Sequence, residues 1–145
     1  MRVVLDTDVL VAALRSHPGA SRRLLLWALE GMIEVLVSVP LTVEYEAVLT
    51  RPEHLDASGL TADEVNEILN ALAGIAVRVP LRFLWRPQLK DPADEMVLET
   101  AVNGAADLLI TFNDRHFAAA AGQFGIRVLR PREAWKEVQP VDEEK

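Results

Sequence analysis

Three stretches of the chain set carboxylates where they could share a cation: Asp6-Thr7-Asp8, Glu44-Tyr45-Glu46 and Asp91-Pro92-Ala93-Asp94. A fourth, Thr111-Phe112-Asn113-Asp114, offers a hydroxyl and an amide beside a further acid. Carboxylate oxygens suit hard divalent cations, and the chain has no cysteine, which excludes disulfides and thiolate metal sites. A cation held in this way polarises a phosphoryl oxygen and acidifies a water, the two tasks of phosphodiester hydrolysis. The same residue types also cap helices and decorate surfaces. Which role each one takes depends on the element that carries it.

Arg2-Val3-Val4-Leu5 reads as a short buried strand, and Ile33 to Val37, Leu108 to Thr111 and Ile126 to Leu129 read as others. Between them, helical periodicity runs over Ala20 to Glu30, Leu41 to Thr50, Thr61 to Leu72 and Ala93 to Asn103. Strands separated by helices imply parallel pairing through right-handed crossovers, hence an α/β fold of three layers with a mainly parallel central sheet flanked by helices. Val77 to Lys90, with Pro80 and Pro87, reads as an irregular connection, and Pro140 to Lys145 as a frayed acidic tail. One domain over residues 1–135 and a C-terminal tail over 136–145 is the expected organisation.

Asp6 follows the first strand at its carboxyl end, the edge at which open parallel sheets bind ligands. Taken alone it is more simply an N-cap for the apolar segment Val9 to Leu14. On the Leu41 to Thr50 helix the apolar face holds Leu41, Tyr45, Val48 and Leu49; Glu44 falls beside that face and Glu46 points away from it. Asp91-Pro92-Ala93-Asp94 opens the next helix with a cap, a first-turn proline and an acid at the third position. Val97, Leu98 and Ala101 form its inward stripe, which Asp94 heads, while Glu95 and Glu99 are expected on the far side. Capping and metal ligation both account for Asp94; capping is the simpler account of Asp91. Asn113, at the end of the third strand, can coordinate through its amide oxygen or hold a water, or simply form a turn before a helix.

The chain has 145 residues, half of them hydrophobic, enough for one core without staples. No apolar run approaches the roughly 20 residues needed to span a bilayer, and Asp6 and Asp8 interrupt the N-terminal stretch, so a cytoplasmic protein is expected. With 22 acidic against 15 basic residues the formal charge is −7, the wrong sign for holding nucleic acid by bulk electrostatics. Carboxylates filled with divalent cations nevertheless attract phosphate locally. Arg15, Arg22, Arg23, Lys90 and Arg115 are candidates to meet an RNA backbone, with scattered surface charge as the plainer account. His116 reads as a partly packed helix residue, and His17 and His54 carry no motif.

Val4-Leu5-Asp6-Thr7-Asp8-Val9-Leu10, Ser38 to Leu49, Asp91-Pro92-Ala93-Asp94-Glu95 and Thr111-Phe112-Asn113, in that order, resemble PIN-domain proteins, above all the VapC-like toxins of toxin–antitoxin pairs. The resemblance spans Met1 to about Trp135. It implies a Mg²⁺- or Mn²⁺-dependent ribonuclease whose metal ligands correspond to Asp6, Glu44 and Asp94, with the fourth acidic position falling on Asn113 and with Thr111 supporting the site by hydrogen bonding. Asp8 stands where the family usually has asparagine, and Asn113 where it often has aspartate, so one charge is relocated. The segment Ala20 to Glu30 carries more hydrophobic surface than one narrow face requires. Core packing is the default account of it; by resemblance, such surfaces serve homodimer contacts and the helix of an antitoxin.

Rival readings use the same residues. Asp6-Thr7-Asp8 after a strand also resembles the nucleophile and acid of haloacid-dehalogenase-like phosphatases, but that family needs its threonine before its lysine and later acidic pair, and Thr111 here follows Lys90, Asp91 and Asp94. A receiver-like module would need a phospho-acceptor near Val37-Ser38 that the sequence does not offer. A degenerate PIN domain that only binds RNA or a partner is the third alternative.

Overall fold

The computed structural model describes residues 1–15, 19–82, 89 and 91–139. Five strands, β1 (Arg2–Leu5), β2 (Glu34–Val37), β3 (Val77–Arg78), β4 (Leu108–Ile110) and β5 (Arg127–Leu129), pair in the order β3-β2-β1-β4-β5. Every pairing is parallel. Among the described residues eight helices accompany them: α1 (Thr7–Arg15), α2 (Ala20–Leu29), α3 (Val39–Leu49), α4 (Pro52–Ser58), α5 (Ala62–Ile75), α6 (Pro92–Asn103), α7 (Asp114–Gly122) and α8 (Pro131–Val138).

The strand order dictates where a site can form. From β1 the chain steps outward to β2 and β3, then crosses back over β1 to β4 and steps outward again to β5. Right-handed crossovers therefore put α6 and α7 on the face opposite the helices that lead to β2 and β3. Between β1 and β4 the connections diverge to opposite faces, leaving a crevice at the carboxyl ends of these two strands. Val3 pairs with Leu108, Val4 with Leu109 and Leu5 with Ile110, so the next residues in register, Asp6 and Thr111, stand side by side at that crevice.

The sheet is held by burial. Val3, Val4, Leu5, Leu108, Leu109 and Ile110 are fully buried, as expected of parallel strands covered on both faces. Leu24 of α2, Leu41 of α3, Leu72 of α5 and Phe117 of α7 close over them. Helix α6 ends close against β2, and Gly104 permits it. A Cβ there would lie 2.7 Å from Leu36 Cδ1 and 2.9 Å from Val79 Cγ2, contacts that no ordinary side chain makes.

The four expected strands and four expected helices are all present, displaced by no more than three residues at their ends. The central sheet is parallel throughout. Three differences have physical causes. Val77–Arg78, placed by sequence in an irregular connection, is the edge strand β3, too short to show alternation. Helices α4 and α8 each begin at a proline and are only seven and eight residues long, too short to stand out as helical runs in the sequence. The boundary expected after Trp135 falls inside α8. His17, Lys90, most of the connection after Arg82 and the tail Pro140 to Lys145 lie outside the described residues.

Candidate active site

Asp6 is buried immediately beyond β1, and its carboxylate is fully engaged. Oδ1 accepts from the Thr7 backbone N–H at 2.7 Å and Oδ2 from the Thr111 hydroxyl at 2.7 Å. Thr111 Oγ1 in turn accepts from Asn113 N at 2.9 Å. The peptide preceding the carboxylate is pinned as well: Asp6 N donates to Ile110 O, and the Tyr45 hydroxyl, fully buried, donates to Leu5 O. A short β1 in fixed register and a rigid α3 thus hold Asp6 in one rotamer.

Asp8, in the first turn of α1, faces the β4–α7 connection. Its Oδ2 accepts from Phe112 N and from Asn113 Nδ2, both at 3.3 Å. Its Oδ1 is buried and meets no donor. Asp91 caps α6 by accepting from Ala93 N at 2.9 Å, as its sequence position suggests. Asp94, one turn on, points into the crevice, where His116 Nδ1 of α7 lies 3.8 Å from its Oδ2. Ser38, the cap of α3, shares a buried 2.7 Å hydrogen bond with Thr100 of α6, fixing the two helices that carry Glu44 and Asp94 relative to each other. Glu44 is half-buried and Glu46 exposed, as the helical phase predicts.

Residues 2–115 match the family model of the PIN domain. The chain belongs to the PIN-domain family. Two solved structures have the same fold as this PIN domain. One is the VapBC2 complex of Rickettsia felis bound to a DNA fragment from its promoter: 14% identity and a TM-score of 0.61 over 90% of this chain and 98% of that one. The other is the FitAB complex bound to the IR36 DNA fragment, at 16% identity and a TM-score of 0.56 over 97% of this chain and 99% of that one. No curated protein gives a significant sequence match.

The electrostatics of this PIN domain are those of crowded acids. Burial pushes the Asp6 carboxyl above the usual carboxylate range against the pull of its Thr111 and Thr7 donors, and the charge of Asp91 adds to the rise. Burial and the neighbouring Asp6 charge push Asp8 up to about 7. Asp94 is raised by burial first, then by Asp6 and Asp91, with His116 pulling the other way. The unpartnered Asp8 Oδ1 is the geometric counterpart of these shifts. A buried carboxylate oxygen without a donor, among other carboxylates, fits a hard divalent cation by donor type and by charge. Among the described residues, however, no three acidic or histidine side chains converge on one point as a ready-made cage.

The Asp8 shift has a consequence for stability. Because its folded value lies above its ordinary one, the folded chain binds more protons than the unfolded chain between roughly pH 4 and pH 7, so stability falls as pH rises through that window. Asp8→Asn is expected to remove this slope. With chelator present, its melting temperature should exceed wild type by several degrees at about pH 8 and match it near pH 4. That corresponds to about 1–2 kcal/mol once partial exposure of the group is discounted. Thermal melts across pH provide the check; an unchanged slope would remove Asp8 from the coupled cluster.

Two expectations from sequence need correction. Glu95 and Glu99 do not lie on a solvent face but are buried, and Leu89 N donates to Glu95 Oε1 at 3.3 Å. Arg22 is not loose surface charge: its guanidinium donates to Ala13 O and Leu14 O and ties the end of α1 to α2. Sequence reasoning also set His116 aside, although its place one turn into the helix after Thr111-Phe112-Asn113 is what brings it to Asp94.

Proposed function

We propose that this PIN domain is a Mg²⁺- or Mn²⁺-dependent endoribonuclease, acting in the cytoplasm as the toxin of a toxin–antitoxin pair. The observation that carries the reading is the gathering of Asp6, Asp8 and Asp94 at the β1/β4 crevice, where burial and neighbouring carboxylates raise all three carboxyls. Asp6, Glu44 and Asp94 would hold the cation, and Asn113 borders it in the fourth position. When bound, it supplies Lewis acidity toward a phosphoryl oxygen and lowers the pKa of water.

The chain's own groups prepare that site. Thr111 donates to Asp6 and keeps its charge aimed into the crevice. Asp91 fixes the first turn of α6 and with it the position of Asp94. Asn113 uses its amide N–H to orient Asp8. His116, exposed, sets its Nδ1 3.8 Å from Asp94 Oδ2, where it would meet a phosphate bound in the crevice. Asp91 and Thr111 are positioning residues in this scheme, whereas Asp6, Glu44, Asp94 and Asn113 border the reacting groups.

Support for the toxin role comes from the fold shared with VapBC2 and FitAB, both solved as complexes on DNA. By that analogy the partners are an antitoxin protein and a second copy of this chain, and the substrate is RNA. None of the described helices is long and apolar enough to cross a membrane. Expression of the chain alone is expected to arrest growth of a bacterial host, with rescue by co-expression of a cognate partner or by Asp6→Asn. Unimpaired growth with abundant folded protein would remove the toxin role and leave the enzyme open to direct assay.

A further inference from the structure

We propose that the groove between α1, α2 and α8 is the track along which a single-stranded RNA reaches the catalytic crevice, with nucleobases stacking on Phe112 and Trp135 and phosphates meeting Arg23, Arg132 and Lys136. The inference rests on the nuclease reading. The groove encloses about 620 Å³, within the range of pockets that take small organic ligands. Its described lining holds three basic side chains and no acidic one, in a chain with 22 acidic against 15 basic residues overall. Local charge in this groove therefore runs opposite to the net charge, which is the complementarity a phosphate backbone requires.

Two aromatic rings complete the lining. Trp135 is half-buried, its ring braced edge-on by Trp27 at 5.0 Å and 80°. Phe112 is 37% exposed, and the Arg130 guanidinium lies 5.9 Å from its ring centre while Arg130 Nη2 donates to Phe112 O. Rigid rings alternating with cations, and little hydrogen-bonding polarity between them, suit sequence-tolerant single-strand binding. Phe112 also links the groove to the site. It lines the neighbouring hollow of about 300 Å³ that contains Asn113 and His116, and its backbone N–H binds Asp8. A strand lying in the groove thus passes over Phe112 directly into the acidic cluster.

The test uses the full chain and a fluorescein-labelled single-stranded RNA of 15 nucleotides or so, with anisotropy read in EDTA and cleavage read in Mn²⁺. Arg132→Gln/Lys136→Gln should weaken binding about tenfold and flatten the plot of log Kd against log salt by about 1.4, the loss of two phosphate contacts on a single strand. Phe112→Ala should weaken binding by a similar factor without changing that slope. In cleavage, the double variant should raise KM with kcat held. Arg51→Gln, on the exposed start of α4, is the control for general charge and should match wild type. A double variant that binds RNA with wild-type affinity and salt slope overturns the groove while leaving the nuclease intact, and loss of a protein partner instead of RNA would overturn it in favour of protein docking. A wild type that binds RNA through these residues but cuts none in Mn²⁺ sinks the nuclease reading and keeps the groove.

Discussion

Asp6→Asn is expected to lower RNA cleavage by on the order of a hundredfold or more, while the melting temperature in chelator stays level or rises. The two halves have one cause. Asp6 sits at the end of β1 with both oxygens committed to donors and its ionised form opposed by burial and by the neighbouring acids. Asparagine keeps an acceptor and adds a donor for Thr111 Oγ1, so the local hydrogen bonds survive, but the charge a divalent cation would need is gone. A raised carboxyl value means the ionised form costs stability above that value, so neutralising the residue relieves the cost at neutral pH. Activity assays and melts on the same preparation read both effects. A purely structural Asp6 would reverse the second, with a variant that unfolds at lower temperature.

Glu44→Gln against Glu46→Gln should give the second large contrast. The residues are two apart on α3, equal in chemistry, one half-buried and one exposed. Glu44 follows from the sequence resemblance and from helical phase, not from any contact seen at the site, so the pair isolates its contribution. Glu44→Gln is expected to weaken Mn²⁺ binding in titration calorimetry roughly tenfold or more and to reduce cleavage in parallel. Glu46→Gln should stay within about twofold of wild type in both, since a solvated glutamate contributes little. Equal losses from the two variants would show that net charge, not a ligand position, is being measured.

How much of this was legible in the sequence depended on what each residue touches. Asp6 was legible because strand β1 ends in three buried apolar residues, Val3, Val4 and Leu5, and the next position is its carboxyl end. The Glu44 phase was read from Leu41, Tyr45, Val48 and Leu49, which are the buried residues of α3, although apolar Val39 and Val43 of the same helix are exposed. Asp91 as a cap and Asp94 as an inward acid followed from a proline-started helix. Glu95 and Glu99 were misplaced because periodicity within one helix says nothing of residues outside it, such as Leu89, that meet its other side. Strand β3 was missed because two residues at a sheet edge carry no period. The link between Asp8 and the Phe112-Asn113 turn spans more than a hundred residues of sequence and exists only because β1 and β4 are neighbours.

Divalent-cation-dependent cleavage of RNA at the β1/β4 crevice is the activity proposed for this PIN domain. Its most direct test is cleavage of an end-labelled single-stranded RNA by the purified wild-type chain in Mn²⁺, run beside the same protein in EDTA and an Asp6→Asn preparation purified identically. The account predicts shortened products in Mn²⁺ alone, absent from the EDTA and Asp6→Asn lanes. Intact RNA after incubation with folded wild-type protein in Mn²⁺, or equal cutting by the Asp6→Asn preparation, would contradict it.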